Sequence, residues 1–254
     1  MAPSSPEAMA FRGLWQRVLD RAYAAPTHQV LDLLILNREV AALAPQPMAE
    51  GIRQRAWANT ARLTARLGEP LPRSGVAALE TPEEKAWLEW CRWWFQGRPS
   101  PAPSVDWDST AEHWRVIREG CQLLSLENPG PTLLAAYSRP GGGEEENSPL
   151  SFLRRLARLA GAQCHLQRGH WQEARQLAQE AGPDGERFVQ QARVEAGEVD
   201  PLEAWRQARY RAYLARRLAD RLEALFFLPA SAYWYREAKA WQRLADYLER
   251  QREV

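Results

Sequence analysis

Cys164, His165 and His170 are the residues of this sequence that come nearest to a set of soft metal ligands. A structural zinc site usually has four such ligands, and no second Cys or His pair completes this group. We therefore predict no metal site, and we expect Cys164 to pack in the protein core.

Catalytic motifs are also missing from the sequence. It contains no P-loop, dinucleotide-binding fingerprint, nucleophile elbow or H-E-x-x-H pair. No pair of carboxylates has a spacing that requires acid–base chemistry. We therefore predict no catalytic residue, no cofactor and no enzymatic activity. The alternative is an all-α enzyme whose site is assembled from distant helices.

Tryptophans at helical spacing dominate residues 86–95. Trp87, Trp90 and Trp94 share one face of the helix predicted there. A helix that is apolar on most sides is usually buried, so we expect these rings in the core. The alternative is an exposed aromatic patch that contacts a partner protein or stacks on single-stranded bases.

The predicted helix 201–227 combines an apolar stripe with arginines that lie mainly outside it. The stripe consists of Trp205, Ala208, Ala212, Ala215, Leu222 and Phe226, and the arginines are Arg206, Arg209, Arg216 and Arg217. Such arginines usually form the solvated face of an amphipathic helix. The alternative is a surface that binds an acidic ligand.

Helix-start signals recur along the chain and predict an all-α fold. Four times, a Ser, Thr or Asp that can accept a backbone N–H precedes a proline at the first helical position. No segment alternates like a half-buried strand. Helices are predicted over 6–24, 27–44, 47–67, 82–96, 109–126, 131–138, 149–168, 170–181, 186–197, 201–227 and 230–250.

Two segments interrupt the helices and suggest the domain organisation. We predict an N-terminal α-helical region over 1–140, which includes a Pro-rich connector at 98–108. A flexible acidic Gly/Glu loop follows at 141–147, and a second helical region covers 148–254. The alternative is a single continuous superhelix with a loose loop.

Composition points to a folded protein of the cytoplasm. The formal net charge is +1, so no overall field drives the chain to nucleic acid or membrane. The three cysteines form no C-x-x-C pair, which fits a reducing compartment. No segment has the roughly 18 apolar residues that span a bilayer, so we predict no membrane insertion.

Residues 154–184 resemble a tetratricopeptide repeat (TPR). The match consists of Gly161 in the first helix, Gly169 at the turn, then Trp171, Glu173, Ala174 and Ala181, with Pro183 following. It covers about an eighth of the chain. The resemblance implies helical hairpins stacked as a TPR-like superhelix, with 148–254 as the TPR-like region.

The resemblance also implies a binding groove. In this family the side chains of each first helix line the concave surface, which here would include Arg155, Arg158, Ala162 and His165. A weaker register in the next hairpin adds Arg187 and Gln191. The arginines would suit a carboxylate or an acidic peptide. Otherwise these are exposed solubilising residues.

These observations predict a non-enzymatic interaction scaffold, adaptor or assembly factor that binds a peptide or a subunit of a larger complex. The alternative is a nucleic-acid-binding helical-repeat protein that uses the Arg-rich C-terminal half. The salt dependence of binding distinguishes the two, because several phosphate contacts make affinity fall steeply with salt.

Overall fold

The computed structural model describes residues 18, 21–43, 50–105, 107, 111–127, 129–139, 146–224 and 228–252; for 228–230 and 251–252 it describes only the backbone. These residues form eleven α-helices, two short 3-10 turns and no strand, which confirms the all-α prediction. The helices are α1 Val30–Leu43, α2 Glu50–Arg66, α3 Arg73–Ala77, α4 Pro82–Phe95, α5 Glu112–Ser125, α6 Pro131–Ser138, α7 Pro149–Gln167, α8 Trp171–Glu180, α9 Glu186–Glu195, α10 Pro201–Ala224 and α11 Leu228–Arg252.

Three of the four predicted helix starts that place a cap before a proline are made by side-chain caps, and the fourth, at residues 5–6, lies outside the described residues. Thr81 Oγ1 accepts a hydrogen bond from the backbone N–H of Glu84 at 3.2 Å. Ser148 Oγ accepts from the N–H of Ser151 at 3.1 Å, and Ser151 Oγ accepts from that of Ser148 at 3.2 Å. Asp200 Oδ1 accepts a hydrogen bond from the backbone N–H of Leu202 at 2.9 Å. Each cap satisfies a donor that has no partner within its helix.

The predicted helix 6–24 and the core of the loop at 141–147 lie largely outside the described residues. Helix α3 was not predicted, because its five residues contain a glycine and show no amphipathic period. Among the described residues, no helix is long and apolar enough to cross a membrane. The structure divides into two compact units: residues 1–118 with 143–152, and residues 119–142 with 153–254.

A buried arginine organises the core of the first unit. Arg66 is 1 % exposed and donates from Nη1 to the carbonyl of Ala22 at 2.7 Å and from Nη2 to that of Ala25 at 2.5 Å. Its guanidinium lies 4.6 Å from the ring centroid of Phe152. These contacts compensate the desolvation of the charge and tie the chain before α1 to α2.

A buried ion pair lies in the same unit. Glu84 Oε1 accepts from Arg62 Nε at 2.7 Å and from the Tyr23 hydroxyl at 3.3 Å. Two tryptophans of α4, Trp87 and Trp90, stack beside this pair with centroids 5.4 Å apart. The core of this unit is therefore aromatic, with hydrogen-bonded charges set inside it.

Small residues let the helices of the second unit approach closely. One cluster joins α7, α8 and α9 and comprises Ala162, Leu166, Ala174, Ala178, Phe188 and Ala192. A second joins α10 to α11 and comprises Ala204, Ala208, Ala212, Trp241, Leu244, Ala245 and Leu248. The alanine stripe predicted for the long helix is thus confirmed as its buried face, apart from Phe226, which lies outside the described residues. The result is a long helical hairpin after a group of three shorter helices.

Candidate functional site

Helices α7 and α8 form the hairpin that the TPR resemblance singled out. Gly169 ends α7 with a φ of +75°, a backbone conformation that favours glycine, and the N–H of His170 bonds to the carbonyl of His165 at 3.0 Å. A Cβ on Gly161 would lie 3.0 Å from Leu177 Cδ1. The two helices are therefore close enough to require a small residue at this position.

The two groove arginines predicted on α7 are held by internal carboxylates. Arg155 Nε lies 3.9 Å from Asp184 Oδ2, and Arg158 Nε lies 3.6 Å from Glu180 Oε2. The arginine side chains are only 13 % and 15 % exposed, respectively. Each guanidinium therefore already lies beside a carboxylate of its own chain, whereas we expected both arginines to line an open groove.

Ala162 and His165 occupy different environments. Ala162 is fully buried between α7 and α8, so our expectation that it lines a groove is corrected: its methyl group fills the helix contact. His165 is half-buried and lines a cleft of about 520 Å³. The other lining residues are Pro131, Thr132, Ala135, Ser138, Arg139, Glu173, Gln176, Leu177 and Glu180. Desolvation lowers the pKa of His165 and so favours its neutral imidazole.

The soft-ligand cluster does not converge on one point. The Nδ1 atoms of His165 and His170 are 3.4 Å apart, whereas Cys164 Sγ lies 3.8 Å from the carbonyl oxygen of Pro129. Cys164 is half-buried rather than enclosed in the core. Within the part of the chain that the structure describes, no group of three or more His, Cys, Asp or Glu side chains could hold a metal.

The groove residues predicted on α9 are also partly enclosed. The Arg187 guanidinium lies 4.5 Å from the ring centroid of Phe188, and Gln191 is half-buried. Burial raises the pKa of Glu237, and the positive charge of Arg187 opposes that shift. Arg187 therefore also acts on a carboxylate of its own chain.

The tryptophans of α4 are mostly internal. Trp87 and Trp90 are fully buried, as is usual for a helix that is apolar on most sides, so neither can contribute to an exposed aromatic patch. Trp94 is half-buried, and the Arg98 guanidinium covers its ring at 3.6 Å from the centroid. The alternative prediction of an exposed aromatic patch therefore fails at Trp87 and Trp90, two of its three positions.

An open cleft lies between the two longest helices and has a different character. This α10–α11 cleft has a volume of about 520 Å³. Its lining residues are Arg209, Ala212, Tyr213, Arg216, Tyr235, Ala238, Lys239 and Gln242. The Tyr235 hydroxyl hydrogen bonds to Glu223 Oε2 and Asp220 Oδ1, both at 2.7 Å, which raises the pKa of this phenol. The Tyr235 hydroxyl therefore stays protonated, and its side chain lines the cleft in a fixed position.

The three cations of the α10–α11 cleft lack internal carboxylate partners. Arg209, Arg216 and Lys239 form no ion pair with any carboxylate in the described ranges, although Arg209 lies 5.4 Å from the ring centroid of Trp205. Elsewhere in this unit, Arg175 and Arg211 pair with acidic side chains at 2.6 Å. Positive charge therefore remains available at the cleft.

Both arginines of this cleft were recognisable from the sequence, whereas its other polar residues were not. The arginines outside the apolar stripe indicated a possible acidic-ligand surface on α10. Lys239 and Tyr235 were not identified, because only the pairing of α10 with α11 brings them beside those arginines. A lysine on an amphipathic helix carries no signal of its own.

Comparisons with protein-family models, curated proteins and solved structures found no match. The resemblance of one hairpin to a TPR thus stays a prediction from its residues, and the function has to be argued from the geometry of this chain.

Proposed function

We propose that this protein is a non-enzymatic interaction scaffold that binds an acidic segment of a partner protein in the α10–α11 cleft. The observation that carries the proposal is the set of three cations without internal carboxylate partners around an open, tyrosine-lined cleft. Arginine and tyrosine are, with tryptophan, the residues that most often dominate the energy of protein interfaces. Arginine also suits carboxylates because it can bind them with two parallel hydrogen bonds.

The spacing of the arginines favours an extended ligand. Arg209 and Arg216 are seven residues apart, which is about 10.5 Å along a helix. An extended peptide rises about 3.3 Å per residue and points alternate side chains to the same face, so acidic side chains two or four residues apart, about 6.6 or 13 Å, bracket the spacing of the two guanidinium groups. Lys239 faces them from the other wall. A peptide with several acidic residues therefore fits the site better than a single small anion.

We also infer that the hairpins stack as a TPR-like superhelix and that the protein acts in the cytoplasm. The small-residue contact between α7 and α8 supports the first inference, because stacked repeats need such close approach. The three free thiols support the second, because thiols persist in reducing compartments.

A nucleic-acid ligand is the second candidate. Tyr210 and Tyr213 are 62 % and 56 % exposed, and they lie among the arginines of α10. Exposed aromatic rings with nearby guanidinium groups can stack on single-stranded bases and contact phosphates. An acidic peptide and a nucleic acid are therefore alternative ligands for the positively charged arginines of α10.

Fluorescence anisotropy with two labelled probes tests the proposal. The probes are an oligoglutamate peptide interrupted by neutral residues and a single-stranded oligonucleotide of similar charge. We expect the peptide to bind the wild type, and Arg216→Glu/Lys239→Glu to bind it at least about tenfold more weakly. The matched control is Arg168→Glu/Lys85→Glu, which changes one exposed Arg and one exposed Lys away from the cleft.

Equal loss of peptide binding in both double variants would contradict a site at the cleft. Tighter binding of the oligonucleotide, with a steep salt dependence that the cleft variant removes, would support the nucleic-acid candidate instead.

A further inference from the structure

Helices α6 and α8 form the two walls of a cleft that the proposed function does not use. This α6–α8 cleft is the one of about 520 Å³ that His165 lines. Both walls pack on α7, because a Cβ on Gly161 would lie 3.8 Å from Leu134 Cβ of α6 and 3.0 Å from Leu177 Cδ1 of α8. No residue lines both this cleft and the α10–α11 cleft.

The two walls run in the same direction, because each runs opposite to α7. Cys164 Sγ, near the end of α7, lies 3.8 Å from the carbonyl oxygen of Pro129, just before α6 begins. Arg158, a turn and a half earlier on α7, pairs with Glu180 at the end of α8. The first residues of α6 and α8 therefore lie at one end of the cleft, beside His165, and their last residues lie at the other end.

The His165 end of the cleft carries a negative charge. Glu173, in the first turn of α8, is exposed and lines this end. It acts electrostatically on His165, whose pKa is lowered chiefly by desolvation, and that shift favours a neutral imidazole beside the carboxylate. Arg168 and His170 also act on His165, but neither lines the cleft. A cationic group at this end therefore meets a carboxylate.

The opposite end of the cleft carries a positive charge. Arg139 follows the last residue of α6, is exposed and lines the cleft there. Glu180 lines the same end, but the Arg158 guanidinium lies beside it, with 3.6 Å between Nε and Oε2, so the two charges of this pair offset each other. An anionic group at this end therefore meets the guanidinium of Arg139.

The walls between the charged ends carry no charge, and their length fits a short chain. Ala135 of α6 and Gln176 and Leu177 of α8 line this middle part. Glu173 and Glu180 are seven residues apart, so the two ends are separated by about 10.5 Å along the helix. Three residues of extended chain span about 10 Å. The α-ammonium and α-carboxylate groups of a tripeptide are therefore separated by the length of the cleft.

We propose that the α6–α8 cleft binds a free tripeptide with an apolar central residue. The α-ammonium group of the ligand lies beside Glu173, its α-carboxylate lies beside Arg139, and its central side chain contacts Ala135 and Leu177. A volume of about 520 Å³ is within the range of small-ligand sites.

Charge complementarity identifies this occupant. A diamine of the same length would meet Arg139 with a cation, and a dicarboxylate would meet Glu173 with an anion. A polypeptide that passes through the cleft would present only neutral peptide groups at both ends. A zwitterion with one charge at each end complements both residues.

NMR titration of the full chain with three related probes tests the site. The probes are Ala-Leu-Ala, its N-acetyl form and its C-terminal amide. The wild type should bind the free tripeptide at least about threefold more tightly than either blocked form, because each block removes one partly exposed ion pair. The dipeptide Ala-Leu, which is too short to reach both ends, should also bind at least about threefold more weakly.

Two variants test which end holds which group. Glu173→Gln should bind the free and the N-acetyl peptide equally, and Arg139→Gln should bind the free and the amide peptide equally. The matched controls are Glu249→Gln and Arg243→Gln, at exposed positions of α11 that line neither cleft, and they should bind like the wild type. Circular dichroism checks that all four variants are folded.

Three results would overturn the proposal. They are a wild type with no saturable binding of the free tripeptide, blocked peptides that bind as tightly as the free one, and a preference for free ends that persists in Glu173→Gln and Arg139→Gln. Neither variant changes the α10–α11 cleft, so binding of the acidic peptide there is measured separately and either proposal can fail alone.

Discussion

Replacing Gly185 by alanine is the substitution whose cost can be worked most directly from the structure. Gly185 ends the 3-10 turn Gly182–Gly185 between α8 and α9. A Cβ there would lie 2.0 Å from the carbonyl oxygen of Ala178 and 2.7 Å from its carbon. The φ of Gly185 is −85°, which any residue adopts, so only the lack of space requires glycine.

The atoms that block the methyl group belong to the backbone of α8, so no side-chain rotation relieves the clash. The turn has to move away from α8 by about 1 Å or more, which weakens the dispersion contacts of Ala178 and Phe188 across the same cluster. Overpacking a core typically costs 1–3 kcal/mol, and we expect about 3 kcal/mol here. At roughly 2–4 °C per kcal/mol, the Tm should fall by about 6–12 °C.

Thermal and urea unfolding followed by circular dichroism measure this cost. Gly182→Ala is the matched control in the same turn, because Gly182 has a φ of +72° and nothing within 4 Å of an added Cβ. Its cost should be only the left-handed backbone strain of about 1–2 kcal/mol. If Gly185→Ala is as stable as the wild type, or costs less than Gly182→Ala, the close approach of the turn to α8 is wrong.

The remaining predictions concern buried groups. Glu84→Ala should lower the free energy of unfolding by about 3 kcal/mol in urea denaturation, because it leaves the Arg62 guanidinium without its carboxylate; a loss under 1 kcal/mol would argue against a buried pair. Burial raises the pKa of Glu237 in the folded state above its ordinary value of 4.5, so the folded state favours the protonated carboxyl group. The contribution of this group to folding stability is therefore fully present below pH 4.5 and is lost as pH rises through the folded-state pKa. Relative to Glu237→Gln, the wild type should therefore become less stable as pH rises from about 4 towards neutrality, and a difference that is constant with pH would contradict this. In a thiol-labelling time course, half-buried Cys164 should react first, and Cys91 last, because burial raises the pKa of its thiol.

The helices were predictable because their signals are local. The caps at Thr81, Ser148 and Asp200 each need only residues within one turn, and the structure confirms all three. The hairpin around Gly169 was also predictable, because a glycine turn between small-residue helices is encoded within 31 residues. Local chemistry thus determined the element boundaries to within a few residues.

The candidate site could be predicted only in part, because its charges depend on contacts between distant residues. Arg155 suggested a free groove cation, yet its carboxylate partner, Asp184, is supplied by a turn 29 residues later. The sequence around Arg66 does not indicate that this side chain is buried and donates to two backbone carbonyls more than 40 residues away. Conversely, Arg216 kept its charge available because α11 places Lys239, rather than an acid, across the cleft. Which arginines are paired is a property of packing, not of local sequence.

The most direct measurement of the central claim is capture of partners from native lysate with three tagged chains: wild type, Arg216→Glu/Lys239→Glu and Arg168→Glu/Lys85→Glu. Each sample is divided, one half is treated with nuclease, and bound proteins are quantified by mass spectrometry. We expect a defined set of proteins with acidic segments that survives nuclease, is kept by the control variant and is lost from the cleft variant. Proteins that vanish with nuclease, or that bind the cleft variant as well as the wild type, would contradict an acidic-segment scaffold that acts through the α10–α11 cleft.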